Sequence, residues 1–558
     1  MFKTLSDDAS ERSEPTATRG LPEREPRRGR MVVMIELRPA FDGFAGIPQE
    51  TRLLFRGLCL SPKLKVEGLL QAARRTLSRG TTFEQAGKPS RPLTEDRRIN
   101  RYSRVVISML GRPQLSRVGR AADVVQGRLK PLSLMAATML GFGRVPLTAF
   151  RSTYFEDFVW RAFFAKTLAA DDFSLVARTD MRVSSVSWHA MHDAGIGLQK
   201  LTGRALYPRL DTRGIDVFIA QTPYPGRVDP ATKLVVRYHD AIPVFMPHTI
   251  SDRSAHQAEH FNALRNCVRS GAWFACVSES TRKDLLRLFP EAEPRARVVH
   301  NMVSHHYFPE PNGPERIPEI IRSRINEGNA RIKLRPRFES IDAEQGFYRA
   351  CLQGRTPRYL LIVSTLEPRK NHARLLAAWE AIRSEVDPEL KLVVVGSLGW
   401  SADEIAAAMR PWIDRGELFA LHAVPAPDLR VLYRHALATV CPSLGEGFDY
   451  SGVEAMRCGG VVVASDIAVH REIYDDAAEY FDPYSTASLS RCLARVLYES
   501  GSDTLRETLR ARGAEVAQRY LPERILPRWD ALLQEVRGEQ PRPAGVATAA
   551  PALQIQRD

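Results

Sequence analysis

The chain has 558 residues, 44% of them hydrophobic and 26% charged, with a formal net charge of +14. That apolar content suffices for two α/β cores and excludes a wholly disordered chain. The best apolar stretch is broken by Arg144 and Pro146, so no run of roughly 18 apolar residues predicts a spanning helix, and seven scattered cysteines without a Cys-x-x-Cys pair argue for reduced thiols and against a zinc cluster.

Residues 1–30 are charged, contain proline and hold almost no apolar side chains; they read as an unstructured tail, with Met31 a candidate start. Met31 to Leu37 is strand-like and leads into FDGFAGIPQE, where Gly43 and Gly46 mark a loop before a helix carrying Arg52, Leu53, Leu54 and Phe55. Residues 61–120 hold 14 Lys and Arg against 4 Asp and Glu, about +10, so the basic character is local. With the apolar runs Leu132 to Phe142 and Trp160 to Phe164, this segment suits an anionic membrane surface better than nucleic acid, for which no binding module is evident. The alternative is that both runs are core helices and the arginines a solvated face.

Lys233 to Tyr238 is a strand ending in His239 and Asp240; Phe274 to Ser278, ESTRKDLL and Arg297 to His300 follow as strand, helix and strand. Residues 311–357 are polar and broken and read as an extended connection with an insertion. Tyr359 to Val363 then gives a strand, STLEPRKN a loop, and Ala373 to Arg383 a helix, with Arg369 and Lys370 at its entrance, where adjacent cations meet a diphosphate favourably.

Ala438 to Cys441 reads as a buried strand, too short for a helix. Gly445 and Gly447 supply a tight loop, Ser451 is placed as N-cap of a helix over Gly452 to Cys458, and Glu454 lies in capping-box spacing. Gly459 and Gly460 stop that helix and Val461 to Ala464 form the next strand, so the loop lies at a strand's carboxyl end, where open α/β sheets bind ligands. Glu446 and Glu454 are then two carboxylates flanking a helix N-terminus. Carboxylates accept hydrogen bonds from sugar hydroxyls, and helix N-termini favour phosphate.

The string from Glu446 to Gly460 resembles the donor-binding motif of the retaining nucleotide-sugar glycosyltransferases of family 4, with the two-domain GT-B fold. The resemblance covers about residues 31–60 and 215–535. It implies two Rossmann-like domains facing a cleft, with a C-terminal helix packing back on the first. The expected boundaries are an acceptor-side domain over 31–310 with a basic insertion at about 61–130, a connection over 311–357, a donor domain over 358–520, a returning helix over 521–536 and a tail over 537–558.

In that family the first Glu contacts the transferred sugar and the second holds the ribose, which implies those roles for Glu446 and Glu454. Lys370 falls on the family's lysine position, while its usual arginine is Thr365 here, so Arg369 is expected to take the phosphate contact. His239 is expected to orient the donor sugar, with Asp240 beside it. Phe448, Asp449, Tyr450 and Ser451 line the donor motif, with Asp449 to Ser451 replacing the more usual Gly-Leu-Pro, and Gly43 and Gly46 fit the opening glycine loop. Asn301 and Met302 stand where Asn-Gly is more common.

The resemblance thus implies a cytoplasmic hexosyltransferase, peripheral at the inner membrane face, with GDP-mannose the favoured donor among GDP- and UDP-hexoses and a lipid-linked or polysaccharide glycan as acceptor. Without an Asp-x-Asp pair, neither metal nor other cofactor is expected. Two Glu eight positions apart on one loop and helix are poorly placed for a glycosidase, which needs carboxylates on both sides of the anomeric carbon. The competing readings are a nucleotide-sugar hydrolase or epimerase and a noncatalytic nucleotide-sugar-binding partner.

Overall fold

The computed structural model describes residues 29–41, 43, 46–82, 93–111, 129, 131–197, 199–310, 313–329, 331–352 and 356–538. The two tails expected to be unstructured, apart from residues 29–30 and 537–538, and about a third of the basic segment lie outside them.

The described chain builds two α/β units. The first sheet has eight strands, β1 (Met31–Glu36), β2 (Leu64–Leu70), β3 (Leu147–Phe150), β4 (Met181–Ser184), β5 (Val217–Ala220), β6 (Lys233–Tyr238), β7 (Trp273–Cys276) and β8 (Ala296–Val298), ordered β8-β7-β6-β5-β1-β2-β4-β3. All pairings are parallel except β3 with β4. The second sheet is parallel throughout, with β9 (Tyr359–Val363), β10 (Lys391–Val395), β11 (Leu418–Leu421), β12 (Ala438–Cys441), β13 (Val462–Ser465) and β14 (Ala478–Phe481) ordered β11-β10-β9-β12-β13-β14.

Strands buried on both faces must be apolar at consecutive positions, and alternation then decides which face each side chain fills. Val33 and Ile35 of β1 join Val217 and Ile219 of β5 in one core, whereas Met34 joins Phe218 and Ala220 in the core on the other face. The second sheet divides likewise, with Leu361 and Val393 on one side and Leu360 and Val394 on the other.

The order of the second sheet reverses between β9 and β12, and that of the first between β5 and β1. Loops leaving such neighbouring strands diverge and open a crevice at their carboxyl ends. The helices include α1 (Ile47–Cys59), α2 (Trp188–Gly197), α3 (Tyr450–Arg457) and α4 (Pro522–Arg537), the last among the described residues. Ile525, Trp529, Leu532 and Leu533 of α4 lie in the first unit's core, so the chain returns there after completing the second sheet.

Two expectations change. Residues 311–357 do not run as an extended connection: Ile317–Ser323 and Ile341–Leu352 are helices, and Ile317, Ile320, Ile321, Tyr348 and Leu352 pack into the second unit. Trp160 to Phe164 does not face a bilayer, because Phe163 and Phe164 are fully buried and stack around Phe55 and Phe41. Leu132, Met139, Leu140 and Phe142 are exposed. No helix among the described residues is long and apolar enough to cross a membrane.

Candidate active site

The loops after β9 and β12 lie side by side because their strands are neighbours. Asn371, in the left-handed region at φ 59°, donates from Nδ2 to the carbonyls of Pro442 and Pro483, and the amide of Leu444 donates to the Arg369 carbonyl. Residues Pro368–Lys370 make one 3-10 turn that aims two cations at the second loop. Arg369 Nη1 stands 2.9 Å from one oxygen of Glu446, and Lys370 Nζ 2.5 Å from the other.

These side chains are largely buried. Burial alone would raise the Glu446 carboxyl, but Arg369 and Lys370 outweigh it and hold the group below the usual range. Glu367, 3.4 Å from Arg369 Nε, is raised by burial.

The wall opposite comes from the end of β6. His239 is neutral: burial, with Arg237 nearby, pushes it down to about 3. Asp240 accepts from the Ile242 amide and is raised by burial, with the charge of Arg369 opposing. The two walls touch. A Cβ on Gly447 would lie 1.8 Å from the His239 carbonyl oxygen, so that position needs glycine for close approach, whereas one on Gly445 would lie 2.7 Å from Met246 Sδ, a flexible side chain that can move aside.

On the first unit, Gly43 and Gly46 have positive φ of 73° and 70°, and Gly46 is the N-cap of α1. Arg52, fully buried, donates to the carbonyls of Ala40, Gly43 and Phe163 and so holds Gly43 against the core.

The second carboxylate departs from its expected setting. Glu454 is no capping-box residue, because the N-cap of α3 is Asp449, at φ 60°, whose carboxylate accepts from the Ser451 amide. The Ser451 hydroxyl also donates to Asp449, and His470 Nε2 lies 3.2 Å from its other oxygen. Glu454 instead reaches across the cleft: Gln49 Nε2 donates to it at 2.8 Å and Tyr433 at 3.1 Å.

The other residues expected at the donor have further partners. Phe448 is buried against Tyr450 and Tyr520, and the Tyr450 hydroxyl donates to Glu50 at 2.9 Å. Thr365 stands half-buried beside Gly399, next to Glu367. The structure therefore gathers Glu446, Arg369, Lys370, His239 and Asp240, and uses the side chains of Phe448 to Ser451 to fix the loop and join the units.

Sequence reading missed Gln49, Glu50 and Arg237. Arg237 and Glu50 form a fully buried pair at 2.9 Å, and Arg237 also donates to Asn301 and to the carbonyls of Val299 and Ala275. The available signal was an Arg following the apolar run Leu234 to Val236 inside strand β6, since a buried charge requires a partner. Among the described residues, no three His, Cys, Asp or Glu side chains are placed to hold a metal ion.

Burial pushes Glu454 up to about 7. A carboxyl raised above its unfolded value keeps its proton in the folded state where the unfolded chain has lost it. Stability from this group therefore falls as pH rises from about 4.5 towards 7. Glu454→Gln is expected to abolish that loss, on the order of 3 kcal/mol, and to flatten melting temperature between pH 5 and 8 relative to the parent. Parallel pH curves for the two proteins would refute the assignment.

Residues 351–516 match the family model described as glycosyl transferases group 1. The match covers less than a third of the chain. The matched segment spans β9 to β14 and carries Arg369, Lys370, Glu446 and Glu454. Among curated relatives, the chain is 28% identical over 258 residues to the O-antigen chain mannosyltransferase B of Escherichia coli, covering 46% of this chain and 59% of the relative. It is 31% identical over 153 residues to the serotype-specific mannosyltransferase WbdA of the same species, covering 27% and 18%. The chain thus spans less than two thirds of either relative. Among solved structures, a sucrose-phosphate synthase from Thermosynechococcus elongatus shares the fold with TM-score 0.52 at 12% identity, over 92% of this chain and all of that one. The fold is GT-B, and the segment similar to glycosyl transferases group 1 is its second unit.

Proposed function

We propose that the protein is a retaining, metal-independent glycosyltransferase that moves a hexose, mannose from GDP-mannose by preference, to a lipid-linked or polysaccharide acceptor in cell-surface polysaccharide synthesis. The observation that carries this reading is Glu446 held between Arg369 and Lys370 at the crevice, with neutral His239 opposite. Breaking a sugar to diphosphate bond develops negative charge on the leaving group and positive character on the sugar, so preorganised charges of both signs are the main lever.

Arg369 and Lys370 take the diphosphate, and Glu446, freed from them, accepts from the sugar's hydroxyls. Neutral His239 offers its free ring nitrogen to the same sugar. Glu454 takes the ribose once Gln49 gives way. The departing phosphate accepts the acceptor's proton, so no side chain is required as general base. The relatives' names support mannose as the sugar and O-antigen chains as the kind of acceptor. The enzyme works at the cytoplasmic membrane face, where the basic segment meets anionic lipid.

A thermal-shift panel of nucleotide sugars tests the reading, because stabilisation grows with ligand concentration over dissociation constant. GDP-mannose is expected to give the largest shift, with turnover on glycolipid extract unchanged by EDTA. Loss of transfer on chelation, restored by magnesium, would remove metal independence. Free-sugar release at one rate with and without extract would make the protein a hydrolase, and binding without turnover, unchanged by Glu446→Ala, a noncatalytic partner.

A further inference from the structure

A carboxylate of the second unit seats a helix of the first. Glu472, on the helix Ala468–Tyr474, accepts from the amides of Glu279 at 2.7 Å and Ser280 at 3.0 Å, the first two residues of the helix Glu279–Leu288. His300 of the first unit adds a third contact, its Nε2 2.9 Å from the same carboxylate. Arg528 of α4 stands 3.0 Å from His300 Nδ1, and a guanidinium only donates, so Nδ1 accepts and Nε2 carries the hydrogen given to Glu472. Burial alone would raise the Glu472 carboxyl, but His300 and the two amides outweigh it and hold the group below its usual range. Its negative charge therefore rests on a helix N-terminus, where the dipole favours it.

The seated helix joins this contact to both walls of the crevice. Its N-cap, Ser278, accepts from the Thr281 amide at 3.1 Å and donates from its hydroxyl to Thr281 Oγ1 at 2.9 Å, and both residues are buried. The Thr281 hydroxyl is shared in turn between the His239 carbonyl at 3.3 Å and the Gly447 carbonyl at 3.5 Å. One of these residues supplies the imidazole of the first wall, and the other directly follows Glu446. One hydroxyl serves both carbonyls only while the helix keeps its place. The seat of the helix thus sets the register of the Glu446 loop against His239.

We propose that Glu472 is a positioning residue, which acts through the helix Glu279–Leu288 to hold His239 and the Glu446 loop in register across the crevice. That this register serves sugar transfer rests on the function proposed above.

The test compares Glu472→Gln, which turns an amide NH2 towards two N–H groups, with His300→Leu, which removes the donor from the opposite unit. Both are expected to lower kcat at least about tenfold, since small displacements of reacting groups cost that much or more. GDP affinity by calorimetry is expected to stay within about twofold, because Arg369, Lys370 and Glu454 all belong to the second unit. His300→Gln, which offers an acceptor to Arg528 and a donor to Glu472, is expected to restore the parent rate. Hydrogen exchange followed by mass spectrometry is expected to quicken in Glu472→Gln and His300→Leu at residues 279–281 and also at 445–449. Faster exchange at 279–281 alone with kcat unchanged would overturn the proposal and leave Glu472 a helix cap, and so would a kcat loss that His300→Gln does not repair. Faster exchange in both segments of a protein whose parent binds no nucleotide would uphold the register and overturn the function proposed above instead.

Discussion

Replacing Glu446 by Gln is expected to reduce sugar transfer about 10²–10³-fold while leaving nucleoside diphosphate binding intact or stronger. The asymmetry follows from the ion pairs. Glu446 occupies both Arg369, at 2.9 Å, and Lys370, at 2.5 Å, so in the free protein it satisfies the same cations that a diphosphate requires. Glutamine keeps the shape but releases them. The diphosphate then meets two cations that no longer need to leave a carboxylate, whereas the sugar loses the charged acceptor for its hydroxyls. Calorimetric titration with GDP and GDP-mannose, beside initial rates, separates the two effects. Unchanged turnover would dismiss Glu446 as a sugar ligand, and a proportional loss of GDP affinity would show that the carboxylate serves only to position the cations.

Replacing Glu50 by Leu is expected to destabilise the protein by about 3–5 kcal/mol, more than any other single change considered above. Arg237 is fully buried, and without Glu50 its charge would lack a counter-charge while it still served Asn301 and two backbone carbonyls. The Trp529 ring of α4 lies 5.2 Å from the Arg237 guanidinium, and Tyr450 of the second unit donates to Glu50, so the loss is felt where both units and the returning helix converge. Changing both members, Glu50→Leu with Arg237→Met, removes the stranded charge and is expected to recover part of the loss. Differential scanning calorimetry of the parent and the two variants checks this. A double variant less stable than Glu50→Leu would mean that Arg237 acts chiefly through its carbonyl contacts.

Much of the second unit was legible because its signals are local. A short apolar strand, a loop and a helix follow one another at Tyr359 and again at Ala438, and each places its chemistry at a strand end. The glycines at 445 and 447 belonged to that signal, and the structure adds what each must clear, Met246 and the His239 carbonyl. The capping box failed for a local reason too. Ser451 and Asp449 both suit an N-cap, and Asp449 prevails because His470 and Ser451 together fix its carboxylate.

By itself the sequence determined the two-unit α/β plan, the pairing of a basic loop with an acidic one, and His239 and Asp240 at a strand end. Only the tertiary structure decided that Glu454 meets Gln49 across 405 positions and that Tyr450 meets Glu50 across 400. It also decided that Glu472 of the second unit meets the Glu279 and Ser280 amides of the first. Periodicity and turn chemistry act between residues a few positions apart, whereas a buried carboxylate or imidazole takes its partner from whichever strand the fold brings beside it.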